Sequence, residues 1–182
     1  MARLYVLQGK WIDVVLTFIT GGARSGKSMR AQMLAESQEG DLVYLATAQA
    51  FDDEMTDRIA RHQADRDARW RTVECPIDLP ETIAREAGEG RVLLVDCLTL
   101  WTSNLLLGEH DFAAASQQLL GALASANSPV ILVSNEVGMG IVPDNALARQ
   151  FRDMAGRLNQ QVAAIADRAE LVVSGLSLTL KP

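Results

Sequence analysis

The 182-residue sequence contains little cysteine, little lysine, few aromatic residues and no long apolar segment. Its two cysteines, Cys75 and Cys97, are too few for a disulfide framework or a four-cysteine zinc site, and they suit a reducing cytoplasm. The longest uncharged run, residues 112–135, is interrupted by polar residues, so we expect no integral membrane segment. The net charge of −6 disfavours nucleic acid and anionic lipid as main partners.

The length and composition indicate one globular domain. A hydrophobic content of 48% and a charged content of 22% are ordinary for a folded chain of this size. The first residues contain a short apolar patch that polar residues end too early for a signal peptide. We therefore predict an N-terminal extension over residues 1–13 and a single domain over residues 14–182.

Apolar, β-branched runs alternate with helical patterns along the chain. The predicted strands cover residues 14–20, 42–46, 70–75, 91–96, 130–133 and 171–173. The predicted helices cover residues 27–37, 52–65, 78–87, 97–107, 112–125 and 144–168. Strands joined by helices pair in parallel through right-handed crossovers, which places helices on both faces of the sheet. The pattern predicts an α/β fold with a mostly parallel sheet.

The strongest local motif is GGARSGKS, which follows the first predicted strand. It fits the phosphate-loop pattern G-x-x-x-x-G-K-S/T, in which backbone N–H groups and the start of a helix surround phosphate oxygens. Lys27 neutralises the β- and γ-phosphates in this pattern, and the Ser28 hydroxyl can bind Mg²⁺. The alternative is a glycine-rich turn that binds nothing. The position between a strand and a helix favours nucleotide binding and a P-loop NTPase (RecA-like) fold.

Asp96 ends the apolar run RVLLVD. A metal-side carboxylate is expected at the end of such a neighbouring strand, so Asp96 and Ser28 are the candidate Mg²⁺ ligands. The alternative is that Asp96 caps the following helix. Glu136 also follows a strand end and is a candidate polar group at the cleft.

His62 lies in a strongly charged segment. Eleven of the twenty residues 52–71 are acidic or arginine, which is typical of a solvated helix face. In the alternative interpretation, a neutral imidazole acts near the nucleotide and arginines such as Arg58, Arg61 or Arg66 hold phosphates. Composition alone does not choose between them. The other histidine, His110, is predicted in a surface loop.

Several motifs together resemble one family, the bifunctional adenosylcobinamide kinase and adenosylcobinamide-phosphate guanylyltransferase of cobalamin synthesis. The similarity covers residues 18–182 and includes the phosphate loop and the longer block SNEVGMGIVP. The remaining shared segments are YLATA, DDEM-x-x-RI-x-x-H, W-x-T-x-E-x-P, LLVDCLTLWTSNLL and the stretch from LARQFRDMAG to the end.

The resemblance implies an enzyme with two reactions. ATP or GTP phosphorylates the aminopropanol hydroxyl of adenosylcobinamide. GTP then guanylylates a histidine, and the GMP passes to adenosylcobinamide phosphate, which gives adenosylcobinamide-GDP. His62 lies at the position of that histidine, and a neutral imidazole is a competent nucleophile at pH 7.

The resemblance also implies a set of site residues. His62 and Lys27 would be catalytic, and Mg²⁺ would assist with ATP and GTP as substrates. The implied nucleotide contacts are Gly21, Gly22, Ala23, Arg24, Ser25, Gly26, Lys27, Ser28, Thr47, Ala48, Gln49, Gln63, Ala64, Asp65, Arg66, Glu74 and Asp96. Family members resemble one another in forming trimers, so a cytoplasmic homotrimer is expected.

Three other functions remain open at this point. One is a P-loop kinase of another small metabolite that lacks the guanylyl-transfer step. Another is an enzyme of this fold with only one of the two activities, which would label His62 without phosphorylating cobinamide. The third is a nucleotide-dependent binding protein in which His62 is replaceable.

Overall fold

The computed structural model describes residues 3–7, 10–49 and 68–182. Its centre is a seven-stranded sheet in the order β5-β4-β6-β7-β3-β8-β9, in which only the last pair is antiparallel. These strands are β3 (Leu16–Gly21), β4 (Asp41–Ala46), β5 (Trp70–Glu74), β6 (Arg91–Asp96), β7 (Val130–Asn135), β8 (Arg168–Val173) and β9 (Leu176–Lys181). The predicted α/β fold with a mostly parallel sheet is confirmed.

Five helices lie within the described part of the chain. They are α1 (Lys27–Glu36), α2 (Leu79–Glu86), α3 (Leu98–Leu107), α4 (Phe112–Ser125) and α5 (Ala146–Ile165). None of them combines the length and the apolar character needed to cross a bilayer. The helix predicted over residues 52–65 falls outside the described residues.

Both faces of the sheet are buried at its central strands β4, β6, β7 and β3, which explains why these strands are nearly continuous apolar runs. Leu93 and Val95 of β6 belong to a core that also contains side chains of α2 to α5. Val92 and Leu94 point the other way, into a second core that contains Ala31 and Ala35 of α1. Successive strand residues face opposite sides, so one strand supplies both cores, and the prediction of helices on both faces is confirmed.

A separate antiparallel hairpin precedes the main sheet. Strand β1 (Arg3–Leu7) pairs with β2 (Lys10–Val14), and Leu16 begins β3 two residues later. The extension predicted over residues 1–13 therefore corresponds closely to this hairpin. The division of the chain at residue 14 stays a prediction.

The end of the chain differs from the predicted pattern. The helix predicted to reach Arg168 ends at Ile165, and Arg168 begins β8. A further strand, β9, was not predicted, although it continues the sheet after a tight turn at Ser174 and Gly175, whose φ angles are 52° and 78°. Lys181 at the end of β9 donates hydrogen bonds to the last carbonyl groups of α5, which fixes that helix end.

Candidate active site

The phosphate-loop motif connects β3 to α1 near the middle of the sheet. Strand β3 pairs with β7 on one side and β8 on the other, so the loop opens at the carboxyl edge of parallel strands, where ligands bind in open α/β sheets. Lys27 is 8% exposed, and its Nζ donates to the carbonyl oxygen of Gly22 at 3.0 Å. The Lys27 ammonium group therefore lies against the phosphate loop, where it could also contact a bound phosphate.

The loop backbone has the conformation that an anion site requires. Arg24 and Gly26 have φ angles of 56° and 94°, and Gly26 stands immediately before α1. No side chain caps the first turn of α1 and no acidic residue lies there, so the helix presents its positive end to the loop. The buried hydroxyl of Ser25 has no hydrogen-bond partner among the described residues. Of the remaining loop residues, Gly22 and Ala23 are exposed.

The turn between β8 and β9 packs against the phosphate loop. The N–H of Gly175 donates to the carbonyl oxygen of Ser25 at 2.8 Å. A Cβ on Gly26 would lie 3.2 Å from the Cα of Gly175, and a Cβ on Gly21 would lie 2.3 Å from the carbonyl oxygen of Val172. Close backbone packing therefore favours glycine at both positions, and the positive φ of Gly26 favours it there by conformation as well. Sequence reasoning missed this support, although Ser174-Gly175 after an apolar strand is a turn signal.

A buried ion pair connects α1 to β8 beside the loop. Glu170 is fully buried and accepts two hydrogen bonds from Arg30, each of 2.9 Å, while Arg168 lies 2.6 Å from the same carboxylate. The Arg30 hydrogen bonds lower the pKa of Glu170, and the same contact raises the pKa of Arg30. The pair fixes the first turns of α1, and hence Lys27 and Ser28, against the sheet.

The ends of three neighbouring strands bring together residues predicted to contact the nucleotide. Ala46 at the end of β4 pairs with Glu74 on β5 and with Asp96 on β6. Glu74 is exposed, and Ala48 and Gln49 just beyond β4 are half-buried. The sheet therefore places these side chains along one edge, as the sequence predicted for strand ends.

Thr47 joins these strand ends by hydrogen bonds inside the protein. Its buried hydroxyl donates to the carbonyl oxygen of Cys97 and accepts from the N–H of Cys97, both at 2.8 Å. The side-chain amide of Asn104 in α3 donates to the carbonyl oxygens of Thr47 at 2.8 Å and Pro76 at 3.0 Å. Sequence reasoning missed Asn104, because an amide in an apolar helix gives no sign of its partners. The predicted nucleotide contact of Thr47 stays a prediction.

Asp96 is half-buried, and the hydroxyl of Tyr44 donates to its Oδ2 at 3.2 Å. One strand, β7, separates β6 from the phosphate-loop strand, so the two strand ends lie about 10 Å apart at the usual strand spacing. Within the described ranges, no three His, Cys, Asp or Glu residues converge as a metal cluster. A single carboxylate with the half-buried Ser28 hydroxyl matches Mg²⁺, which keeps waters and phosphate oxygens as most of its ligands.

Glu136 follows β7 beside the phosphate loop. Its N–H donates to the carbonyl oxygen of Gly21 at 3.0 Å, and its Oε1 accepts from the N–H groups of Gly138 and Met139. The Glu136 carboxylate thus stabilises the backbone conformation of the loop after β7. A cavity of about 380 Å³ lies next to it, lined by residues that include Gly156 and Asn159 of α5.

The two cysteines are packing residues. Burial raises the pKa of the Cys75 thiol to about 12 and that of the Cys97 thiol to about 11. Both side chains are therefore neutral thiols at pH 7, and neither is a nucleophile.

The histidine segment is not part of the described structure. His62, Gln63, Ala64, Asp65 and Arg66 all lie outside the described residues, as do Arg58 and Arg61. His110 is exposed between α3 and α4, as predicted. The roles of the histidine segment therefore stay predictions.

Comparison with known proteins identifies relatives over nearly the whole chain. The family described as cobinamide kinase / cobinamide phosphate guanyltransferase matches residues 17–180. The bifunctional adenosylcobalamin biosynthesis protein CobP of Pseudomonas aeruginosa is 48% identical over 165 residues, which cover 90% of this chain and 95% of that protein. The bifunctional adenosylcobalamin biosynthesis protein CobU of Salmonella typhimurium is 43% identical, covering 92% of this chain and all of that protein.

Solved structures of low sequence identity share the fold. The type III secretion ATPase EscN of enteropathogenic Escherichia coli has a TM-score of 0.62 and 11% identity, covering 93% of this chain and 48% of EscN. Another type III secretion ATPase, from pathogenic bacteria, has a TM-score of 0.53 and 12% identity, covering 93% of this chain and 58% of that one. These likenesses confirm the predicted P-loop NTPase architecture.

Proposed function

Because the chain belongs to the cobinamide kinase / cobinamide phosphate guanyltransferase family, we propose that it phosphorylates adenosylcobinamide and then guanylylates the product. The observation that carries the proposal is the phosphate loop. It has a buried Lys27, a left-handed Gly26 and an uncapped helix start at the carboxyl edge of the sheet. This arrangement supports a triphosphate substrate, and the family relationship supports the corrinoid as acceptor.

In the kinase step, the aminopropanol hydroxyl attacks the γ-phosphorus of ATP or GTP. The bond from that phosphorus to the β,γ-bridging oxygen breaks, and the nucleoside diphosphate leaves. Lys27 and the N–H groups of the loop neutralise the charge that develops on the phosphate oxygens. Positioning and electrostatics supply most of the acceleration, since phosphoryl transfer needs little covalent help from the protein.

In the guanylyl step, a neutral His62 nitrogen attacks the α-phosphorus of GTP and pyrophosphate leaves. A phosphate oxygen of adenosylcobinamide phosphate then attacks the same phosphorus. The phosphorus–nitrogen bond breaks, which releases adenosylcobinamide-GDP and restores the imidazole. Two displacements replace one, which is the advantage of covalent catalysis.

Ser28 and Asp96 would hold Mg²⁺ together with the phosphates. The ion, when bound, neutralises charge on the triphosphate and orients it for in-line attack. The other nucleotide contacts in the proposal are the phosphate-loop residues, Thr47, Ala48, Gln49, Glu74 and the residues just after His62. The exposed position of Glu74 at a strand end supports a contact with guanine or ribose rather than a role as a base.

The proposal includes a cytoplasmic homotrimer. Neutral, buried cysteines and nucleoside triphosphate substrates support the reducing, nucleotide-rich compartment. The net charge of −6 supports a small-molecule acceptor rather than nucleic acid. Family resemblance supports the trimer, and light scattering of the purified protein measures it.

A product assay tests the proposed function. Purified protein is incubated with adenosylcobinamide, ATP, GTP and Mg²⁺, and corrinoid products are separated by chromatography. We expect adenosylcobinamide phosphate with ATP alone and adenosylcobinamide-GDP when GTP is added. Phosphorylation with no GDP product would indicate a kinase without the transfer step, and an unchanged corrinoid would contradict the proposal.

A further inference from the structure

The loop after β7 presents an exposed apolar surface next to the phosphate loop. Ile141 is 97% exposed, Met139 82% and Val142 61%. Neighbouring exposed apolar side chains mark interaction or ligand sites, since the folded chain gains nothing by leaving them in water. We call these three residues the apolar loop.

The apolar loop is held in place at both ends. At its start, Glu136 bonds to the N–H groups of Gly138 and Met139. At its end, Arg149 donates to the carbonyl oxygens of Pro143 at 3.0 Å and Asp144 at 2.8 Å. Polar groups therefore fix the backbone while the apolar side chains point into solvent, which is the arrangement of a preformed binding surface.

The position of the apolar loop relates it to the phosphate site. Asn135 pairs with Gly21, and the N–H of Glu136 donates to the carbonyl oxygen of Gly21. Ile141 follows Glu136 by five residues, so it lies within about 18 Å of Glu136, the residue that contacts the start of the phosphate loop. An acceptor whose hydroxyl reaches the γ-phosphate would extend over this surface if its body is large.

We infer that the apolar loop is the docking surface for the corrin ring of adenosylcobinamide. This inference rests on the proposed function and adds to it the part of the chain that holds the acceptor. Adenosylcobinamide contains a broad, methyl-bearing corrin macrocycle, and its reactive hydroxyl is at the end of an aminopropanol arm. The macrocycle therefore lies away from the reacting phosphorus and needs an apolar surface there.

The adjoining cavity suits the edge of the same ligand. It has a volume of about 380 Å³ and is lined by Glu136, Gly156, Asn159 and Gln160, among others. Adenosylcobinamide carries primary carboxamide arms at the corrin periphery. The polar side chains that line the cavity are suited to hydrogen bonds with such amides.

Binding of adenosylcobinamide to the full-length protein, measured by equilibrium dialysis, tests this inference. The variants are Ile141→Asp and Val142→Asp, with Ile141→Leu as the conservative change. Leu107→Asp is the matched control, because Leu107 at the end of α3 is 62% exposed and lies outside the apolar loop. Labelling of the protein by GTP with a radioisotope at the α-phosphate is measured in parallel, since guanylylation of the protein needs no corrinoid.

We expect Ile141→Asp and Val142→Asp to raise the Kd for adenosylcobinamide at least about tenfold, the loss expected for one buried aliphatic contact. Ile141→Leu and Leu107→Asp should stay within about twofold of wild type, and the GTP label should be unchanged in all four variants.

Three results would overturn the inference. Unchanged corrinoid affinity in both aspartate variants would show that the corrinoid does not bind to the apolar loop. Equal loss of affinity and of GTP label would show that the apolar loop supports the nucleotide site and is not a docking surface specific to the corrinoid. A fall in molecular mass by light scattering, in step with affinity, would show that a second copy of the chain covers the loop. Wild-type protein that neither binds nor phosphorylates adenosylcobinamide would instead contradict the proposed function itself.

Discussion

The N–H of Gly175 donates to the carbonyl oxygen of Ser25, so the turn between β8 and β9 stabilises the observed conformation of the phosphate loop. Gly26 packs against Gly175, and a Cβ on Gly26 would lie only 3.2 Å from the Cα of Gly175. The anion site is therefore built from two segments that are distant in sequence. The loop conformation depends on the end of the chain as well as on its own glycines.

Substitution of Gly26 tests this dependence. Gly26→Ala places a Cβ against Gly175 at a φ of 94°, and we expect nucleotide affinity to fall at least about tenfold because the loop must shift. Gly40→Ala is the control, since Gly40 also has a positive φ and a close neighbour, Gly90, at the opposite edge of the sheet. It should cost about 2 kcal/mol of unfolding free energy without changing nucleotide affinity. Fluorescent-nucleotide titration and urea unfolding measure the two effects, and equal affinity losses would refute the assignment.

The three lysines of the chain allow a matched test of charge at the site. Lys27→Ala removes the buried ammonium group and should lower kcat of the kinase step at least about 100-fold. Lys181→Ala removes the hydrogen bonds to the end of α5 and should cost about 1 kcal/mol of stability with kcat unchanged. Steady-state kinetics and thermal unfolding distinguish them. A Lys27→Ala enzyme with near-normal kcat would rule out the phosphate role.

Asn104 should act on the nucleotide site through the strand ends that it joins. Asn104→Leu leaves the carbonyl oxygens of Thr47 and Pro76 without their donor, and we expect a loss of about 2 kcal/mol in stability and a raised KM for nucleotide. Thr102→Val is the control, since Thr102 is buried in the same helix and its hydroxyl, within the described part of the chain, donates to the carbonyl oxygen of Leu98 alone. That variant should lose stability without a change in KM. Equal KM values for nucleotide in the two variants would show that Asn104 contributes to stability and not to the nucleotide site.

The Glu170 ion pair predicts a specific loss of stability in acid. The pKa of Glu170 is lowered in the folded protein, so its contribution is complete above the unfolded value of about 4.3 and is lost as pH falls through the folded pKa. Glu170→Gln should cost about 3 kcal/mol at pH 7, and this difference from wild type should shrink as pH falls below about 4. Urea unfolding across this range measures it. A difference that is independent of pH would exclude the carboxylate as its cause.

Glu86→Gln, which removes a more exposed ion pair, provides the comparison for the stability loss in Glu170→Gln. Arg71 lowers the pKa of Glu86, but the Arg71 side chain is half exposed, so its pair with Glu86 is screened by water. We expect a smaller loss, about 1 kcal/mol, with the same direction of pH dependence. A larger loss than for Glu170→Gln would mean that burial does not determine the strength of these pairs.

The sequence predicted most of the fold because its central strands are buried on both faces and several of its helices have one apolar face. Such patterns depend on neighbours within one element, and so did the phosphate-loop motif. Strand β9 was missed although its sequence, LSLTLK, alternates apolar and polar residues with the period of a strand. All of its side chains are at least partly exposed, so it lacks the continuous apolar run that marks the central strands. Arg168 and Glu170 look like continuations of a helix, and only the bond to Arg30, 140 residues away, explains a buried charge in β8.

The site was predicted less completely than the fold. Strand ends and the phosphate loop place Lys27, Ser28, Glu74 and Asp96 at one edge, and each follows from a local motif. The contacts that hold those residues, from Gly175, Asn104 and Thr47, join segments far apart in sequence. No spacing pattern in a single chain reports such contacts.

The most direct test of the two-step mechanism uses GTP with a radioisotope at its α-phosphate. Wild-type protein, His62→Ala and the matched variant His110→Ala are incubated with it, denatured, and treated with acid or alkali. We predict label on wild type and on His110→Ala, lost in acid and retained in alkali as for a phosphoramidate, and no label on His62→Ala. Label on His62→Ala, or none on wild type, would contradict the guanylylated histidine.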